Sequence, residues 1–240
     1  MSLQQELHEP GKSNSFSGAR RRLIKLTPLI LLSGCDFTSG NTTGGLLRNF
    51  QQFNDWVQEK AFDINKPAPE FSDDQLTAEE GFRVNDYDTD EPDIDQEHWH
   101  LTVEGLVSRQ GTYTLSQISS LPKFTKNFRH CCVEGWSMIP QWGGARMKDF
   151  FQQAGVDLTA KYVVVECGDG YYTSYDMASV LHAQTLLAYE AYKKPLSLQH
   201  GAPLRIIMPT KLGYKSAKWI NKIIVTNEKP GGYWEDQGYD

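Results

Sequence analysis

The 240-residue sequence predicts a single domain of the α+β class. Short apolar runs of strand character are mixed with helical stretches of only a few turns, no regular βαβ alternation orders them, and no internal repeat is visible. At 39% hydrophobic residues, with six Trp and eleven Tyr, the chain has the material for one sizeable core.

The elements follow in order along the chain. Leu46, Leu47, Phe50, Phe53 and Val57 recur at helical spacing, so residues 44–61 are expected to form an amphipathic helix that packs on the domain, the alternative being that it lies near the membrane. Pro67 and Pro69 end regular structure there. From Glu70 to Glu97 come twelve acidic residues against one basic residue, Arg83, which reads as a loop-rich, solvated arm or as a docking surface for a basic partner. Trp99, Leu101 and Val103 alternate with His98, His100 and Thr102 in a half-buried strand that turns both histidines to solvent. Leu115 to Leu121 predicts a short helix ended by Pro122. Met147, Phe150, Phe151 and Ala154 predict a second, closed by Gly155. Tyr162–Cys167, Leu204–Met208 and Trp219–Thr226 read as buried strands.

Charge narrows the range of partners. The formal net charge of −6 argues against nucleic acid or an anionic membrane surface as the main partner. At the N-terminus, Ala19 to Lys25 reads ARRRLIK, a twin-arginine export pattern. The apolar stretch Leu26–Leu32 then runs into Leu32, Ser33, Gly34 and Cys35, which resembles a lipoprotein cleavage box with Cys35 as the acylated residue. That stretch is far shorter than the roughly 20 apolar residues of a membrane span, so it reads as a processed signal, the bland alternative being a disordered basic tail. Removal of residues 1–34 leaves 19 basic and 28 acidic side chains, a net −9. The expected organisation is a signal at 1–34, a tether with the amphipathic helix at 35–75, a catalytic domain at 76–230 and a C-terminal tail at 231–240.

Two motifs carry chemistry. The run RHCCVEGWS, Arg129 to Ser137, presents Cys132 where a Glu, a Gly and a Trp follow at once, too irregular for a core strand and too poor in cysteine for a zinc cage. One soft thiolate suits a metal whose other ligands come from a cofactor. Beyond Cys35, the odd set Cys131, Cys132 and Cys167 argues against a disulfide framework. The second motif places His200, Arg205, Lys211, Lys215 and Lys218 among Gly201, Pro203, Pro209 and Gly213. The backbone there can turn and expose N–H groups to a phosphate dianion, the alternative being a solvated basic loop.

CVEGWS together with HGAPLR and SAKW resembles the sulfite oxidase superfamily of molybdopterin-binding oxidoreductases. The likeness is greatest to small bacterial members related to the methionine sulfoxide reductase catalytic subunit, and it covers Gly81 to Glu228. It implies that superfamily's molybdopterin-binding fold of mixed β-sheets with short helices, and a molybdenum pyranopterin cofactor. Cys132 matches the metal ligand and Arg129 a basic residue facing the cofactor pocket. Asn85, Tyr87 and Asp88 match pterin contacts, and His200, Arg205, Ser216, Ala217 and Lys218 match the phosphate-binding set. Cys167 stands where the methionine sulfoxide reductases carry Thr, near the cofactor, and His200 where they carry Asn, so the substrate stays open. The resemblance implies two-electron oxygen-atom transfer on a small S-oxo or N-oxo substrate, methionine sulfoxide first and sulfite oxidation as the alternative. Since the chain has no CxxCH haem attachment and no dimerisation domain, a separate haem-bearing membrane protein or soluble cytochrome is implied, with a monomer expected. Two other readings compete. Cys132 could be a nucleophile with His130 or His182 as base, or the chain a noncatalytic lipoprotein binding module.

Overall fold

The structure is a computed structural model that describes residues 66–84 and 91–238, and residues 50, 53, 54, 56, 57, 60 and 63 before them. The chain divides into two units, Met1–Phe62 and Asp63–Asp240. In the first, the described residues between 50 and 60 are helical, as the periodicity predicts. Phe50, Phe53 and Val57 are exposed there. Leu46, Leu47, the twin-arginine run and Cys35 lie outside the described residues.

The second unit is built on two sheets. The first runs β2 (Gly111–Thr114), β1 (His100–Gly105), β12 (Ile220–Thr226), β7 (Tyr162–Cys167), β8 (Tyr172–Asp176), all antiparallel except the β1–β12 pair. The second runs β10 (Lys194–Pro195), β9 (Leu186–Ala191), β6 (Gln141–Arg146), β3 (Lys123–Asn127), with β11 (Arg205–Ile207) also on β9. A short hairpin, β4 (His130–Cys131) and β5 (Ser137–Met138), stands apart from both. This is the mixed-sheet α+β architecture that the sequence predicts.

Side-chain periodicity explains the burial. In β7 every second residue, Val163, Val165 and Cys167, is buried, because one face of the first sheet packs and the other does not. β9 is buried almost throughout. Leu187 and Tyr189 enter the larger core with Leu101, Val103, Val165 and Ile223, while Leu186 and Ala188 enter a second cluster with Phe128, Trp142 and Ile207. A strand packed on both faces loses its alternation. Gly144 of β6 permits the close approach to β9, since a Cβ there would stand 2.2 Å from the Leu187 carbonyl oxygen.

The helices end where the sequence places their caps. Thr114 and Gln117 form a reciprocal capping box on α1 (Leu115–Ser119). Gly155 closes α2 (Met147–Ala154) in the left-handed conformation, φ +68°. Asp176 caps α3 (Met177–Leu181) by accepting from the Ser179 backbone N–H at 2.7 Å. α2 buries Met147, Phe150, Phe151 and Ala154, each large side chain contributing about 1.5–3 kcal/mol.

The acidic stretch is loop-rich, with two 3-10 turns, Asp73–Gln75 and Glu79–Gly81, but it is not a detached arm. The Phe71 N–H donates to the Asn127 carbonyl at 3.1 Å, Gln184 bonds both backbone groups of Ala68, and Phe82 packs on the second cluster. A backbone bond at 71 and an apolar anchor at 82, spaced among the acids, tie it to the second sheet. Ala68 and Phe71 are thus hydrogen-bonded to the rest of the second unit.

Candidate active site

The β4–β5 hairpin makes the first wall. The Cys132 N–H donates to the Trp136 carbonyl at 3.0 Å and the Gly135 N–H to the Cys132 carbonyl at 3.2 Å. Gly135 takes φ +87°, which a side chain would resist. His130 and Cys132, two residues apart, share the face that lines a cavity of about 370 Å³. Cys131 between them is half-buried and outside that lining. Cys132 is buried, its Sγ 3.8 Å from Glu134 Oε2, which also accepts from Trp136 Nε1 at 2.8 Å. Burial, then the Arg205 charge, push His130 down to about 3, so it is neutral at physiological pH.

Residues 200–219 make the second wall. Gly201 turns at φ +101°, where a Cβ would stand 3.0 Å from Lys218 and 3.1 Å from Arg205, so glycine lets these two cations crowd the turn. Arg205 is buried and forked: Nη1 donates to the His200 carbonyl at 2.8 Å and Nη2 to the Ser216 carbonyl at 2.9 Å. Its guanidinium lies 4.9 Å from the Trp142 ring centroid. Burial lowers its pKa to about 10, which leaves it charged at neutral pH. The His200 ring stacks on Phe82 at 3.7 Å with its Nδ1 2.7 Å from Ser197 Oγ. Lys218 Nζ sits 3.9 Å from the Trp219 ring centroid and donates to the Gln199 carbonyl. Tyr171 and Tyr175 hold the 214–215 carbonyls by hydroxyl donation at 3.0 and 2.8 Å. The two walls meet at Gly213, where a Cβ would be 2.7 Å from His130 Nε2.

Cys132, His200, Arg205, Ser216, Ala217 and Lys218 therefore line one cavity. Arg129 is not brought to it. One position off the His130–Cys132 face, it is exposed, with its guanidinium 5.1 Å from the Phe71 ring. Cys167 is outside the lining too: it ends β7 inside the larger core, where burial, then Asp169, hold its thiol protonated well above the usual range. Asn85, Tyr87 and Asp88 lie outside the described residues. Of the five basic residues, Lys211 and Lys215 do not line the cavity; Lys215 instead pairs with Glu235. His182 is buried elsewhere, its Nε2 3.1 Å from the Lys66 carbonyl, and with His130 held neutral neither histidine makes a ready base beside Cys132.

Sequence reasoning missed Arg83, Trp136, Tyr171, Tyr214 and Trp234, all of which line the cavity. Arg83 was legible as the single cation of the acidic stretch, and it lies 5.5 Å from the Trp136 ring centroid. The GGYW run was legible too, as a glycine pair leading into two aromatics.

The donor set fits a pyranopterin. Among the described residues no group of three or more His, Cys, Asp or Glu stands ready to hold a metal, so a metal at Cys132 needs its remaining donors from a cofactor. Arg205 Nε is buried without a hydrogen-bond partner, an orphan donor beside Ser216 and Lys218 that an anionic ligand would satisfy.

Comparison with known proteins agrees. The oxidoreductase molybdopterin binding domain matches residues 88–234. A protein of Azospira oryzae, provisionally named protein-methionine-sulfoxide reductase subunit YedZ1, is 41% identical over 92% of this chain and 84% of its own length. The protein-methionine-sulfoxide reductase catalytic subunit MsrP of Campylobacter jejuni is 29% identical over 72% of this chain and 66% of its own. The sulfane dehydrogenase SoxCD of Paracoccus pantotrophus shares the fold, with a TM-score of 0.54 at 20% identity over 57% of this chain and 40% of that one. With Cys132 and the Arg205 cradle in one cavity, and that match over more than half its length, this chain belongs to the molybdopterin-binding oxidoreductase family.

Proposed function

We propose that this chain is the cofactor-bearing catalytic subunit of a reductase for methionine sulfoxide in proteins, with electrons supplied by a separate haem partner. The observation that carries the reading is one buried thiol, Cys132, facing a cavity whose opposite wall holds the unsatisfied Arg205 Nε. The names of the Azospira and Campylobacter relatives support the substrate. The molybdenum pyranopterin, when bound, supplies two-electron oxygen-atom transfer, in which a sulfoxide, two electrons and two protons give a thioether and water.

The residues divide this work. Cys132 tethers the metal. Arg205, Ser216, Ala217, Lys218 and His200 hold the pterin and its phosphate, and we assign Asn85, Tyr87 and Asp88 to the same task from the family motif. Trp136, Tyr171 and Tyr214 give apolar faces against which a thioether's alkyl groups pack. Glu134, exposed and 3.8 Å from Cys132 Sγ, suits delivery of protons from solvent. ARRRLIK and Cys35 support twin-arginine export, lipid anchoring and a periplasmic site of action. A folded, loaded enzyme requires such a route.

The test is molybdenum content by elemental mass spectrometry on protein made in a cofactor-producing bacterium, beside Cys132→Ala, followed by reduced-dye assays with methionine sulfoxide. Expected are about one molybdenum per chain, its loss in the variant with the circular dichroism spectrum unchanged, and sulfoxide-dependent dye oxidation. Full molybdenum in Cys132→Ala would sink the ligand assignment; turnover of sulfite alone with an electron acceptor would sink the reductase.

A further inference from the structure

The last described residues, 231–238, are bound down at several points. The Tyr233 N–H donates to the Tyr172 carbonyl at 2.9 Å, and the Tyr172 hydroxyl donates to Asp236 Oδ2. Glu235 pairs with Lys215, and both side chains are mostly buried. Lys215 Nζ also donates to Thr173 Oγ1 at 3.1 Å and to the Ser174 carbonyl at 3.0 Å, so one ammonium joins β8, the cofactor loop and the C-terminal segment. Gly231 and Gly232 lie close against the strap's own acids: a Cβ on either would meet a carboxylate oxygen, of Asp236 at 2.1 Å and of Glu235 at 2.2 Å. Residues 235–237 then close a 3-10 turn. The result is a strap that carries Trp234 to the cavity holding Cys132.

We propose that this strap is the substrate-facing wall of the cavity, that Trp234 is a specificity-determining residue for the sulfoxide's alkyl or aryl groups, and that the Lys215–Glu235 pair is the latch that positions it. The proposal deepens the reductase reading and rests on it. Cofactor retention is already provided for by Arg205, Ser216 and Lys218 on residues 200–219. Trp234, next to the Tyr233 ring at 5.2 Å and reaching the same cavity from a separate segment, adds a broad apolar face. Sulfur and alkyl groups pack well on such faces. Lys215, one residue from Ser216, is spent on the strap, so wall and cofactor loop are registered by one side chain.

The experiment uses the loaded full chain with reduced dye, comparing kcat/KM for dimethyl sulfoxide and methyl phenyl sulfoxide in wild type, Trp234→Ala, Trp234→Phe and Glu235→Gln. Amide exchange of peptide 231–238 is followed with and without methyl phenyl sulfoxide. Trp234→Ala is expected to move the ratio of the two kcat/KM values by roughly tenfold, through KM, at unchanged molybdenum content. Trp234→Phe should restore most of it, Glu235→Gln should move it in the same direction, and the sulfoxide should slow exchange of the strap. An unshifted ratio in Trp234→Ala beside an active wild type overturns the wall alone, as does loss of molybdenum from that variant. Wild type that holds molybdenum, reduces neither sulfoxide and still protects the strap removes the reductase and keeps the wall; absence of both removes both.

Discussion

Arg205→Lys is the sharpest probe of how the cavity is held. The replacement keeps a buried positive charge, so the desolvation cost cancels to first order and the change reports geometry. Arg205 donates two bonds, at 2.8 Å to the His200 carbonyl and 2.9 Å to the Ser216 carbonyl, and lies 4.9 Å from the Trp142 ring centroid. A lysine ammonium cannot span both carbonyls and cover the ring as a planar fork does. Loss of one charge-assisted hydrogen bond costs about 1.5–3 kcal/mol, and the weaker ring contact about 0.5–1 kcal/mol more. The expected loss is thus about 2–4 kcal/mol. For a folded unit of this size it lowers the cofactor-free protein's Tm by roughly 4–16 °C. The assay is calorimetry or circular dichroism melting of cofactor-free wild type and variant, with molybdenum content measured on the loaded forms. A Tm within about 1 °C of wild type, or full molybdenum retention, would refute the fork as the element that fixes this wall.

Other outcomes follow from the same geometry. Gly144→Ala forces a methyl against the Leu187 carbonyl oxygen, 2.2 Å away on the neighbouring strand, where neither backbone can yield cheaply. It should cost at least about 3 kcal/mol or abolish folding, whereas Gly170→Ala, at φ +84° with nothing within 4 Å, should cost only about 1–2 kcal/mol by urea denaturation. Stability should also fall above pH 9. Cys167, Tyr171 and Tyr175 are all held protonated by burial, so beyond their ordinary pKa values the unfolded chain sheds protons that the native state keeps. Arg205, lowered to about 10 by burial, acts in the opposite sense above pH 10, but one group opposes three. A urea midpoint at pH 10.5 equal to or above that at pH 7.5 would contradict this.

Much of the fold was legible because its signals are local. The alternation in Trp99–Val103, the spacing of Phe150, Phe151 and Ala154, and Gly155 as a helix stop each need only a few neighbouring residues. For the helix around residues 50–57, periodicity tells which residues share a face and not what meets it. The site divides in the same way. Cys132 and the Arg205 to Lys218 run are contiguous motifs and both reach the cavity. Arg129 directly precedes the two-residue strand that carries His130 to the cavity, and so short a strand leaves no alternation to count. Arg83, Tyr171 and Trp234 arrive from three distant segments that only the fold brings together.

The lysines of the basic segment make the same point and can be separated by experiment. Spacing alone gives Lys215 and Lys218 equal claims on a phosphate. The structure gives them different neighbours: Lys218 lines the cavity, with its ammonium over Trp219 and bonded to the Gln199 carbonyl, while Lys215 donates to Thr173, Ser174 and Glu235. Lys218→Met should therefore lower cofactor affinity by roughly tenfold to a hundredfold, the loss of one charge-assisted phosphate contact, with little change in the melting of the cofactor-free protein. Lys215→Met should do the reverse. It strands the mostly buried Glu235 carboxylate, lowering stability by up to about 3 kcal/mol, while the molybdenum content of the folded fraction stays near wild type. Both quantities are read on the same preparations, by elemental mass spectrometry and calorimetry. If the two variants lose molybdenum equally at equal stability, charge in this segment acts as a diffuse field, and the division of labour drawn from the neighbours of each ammonium fails.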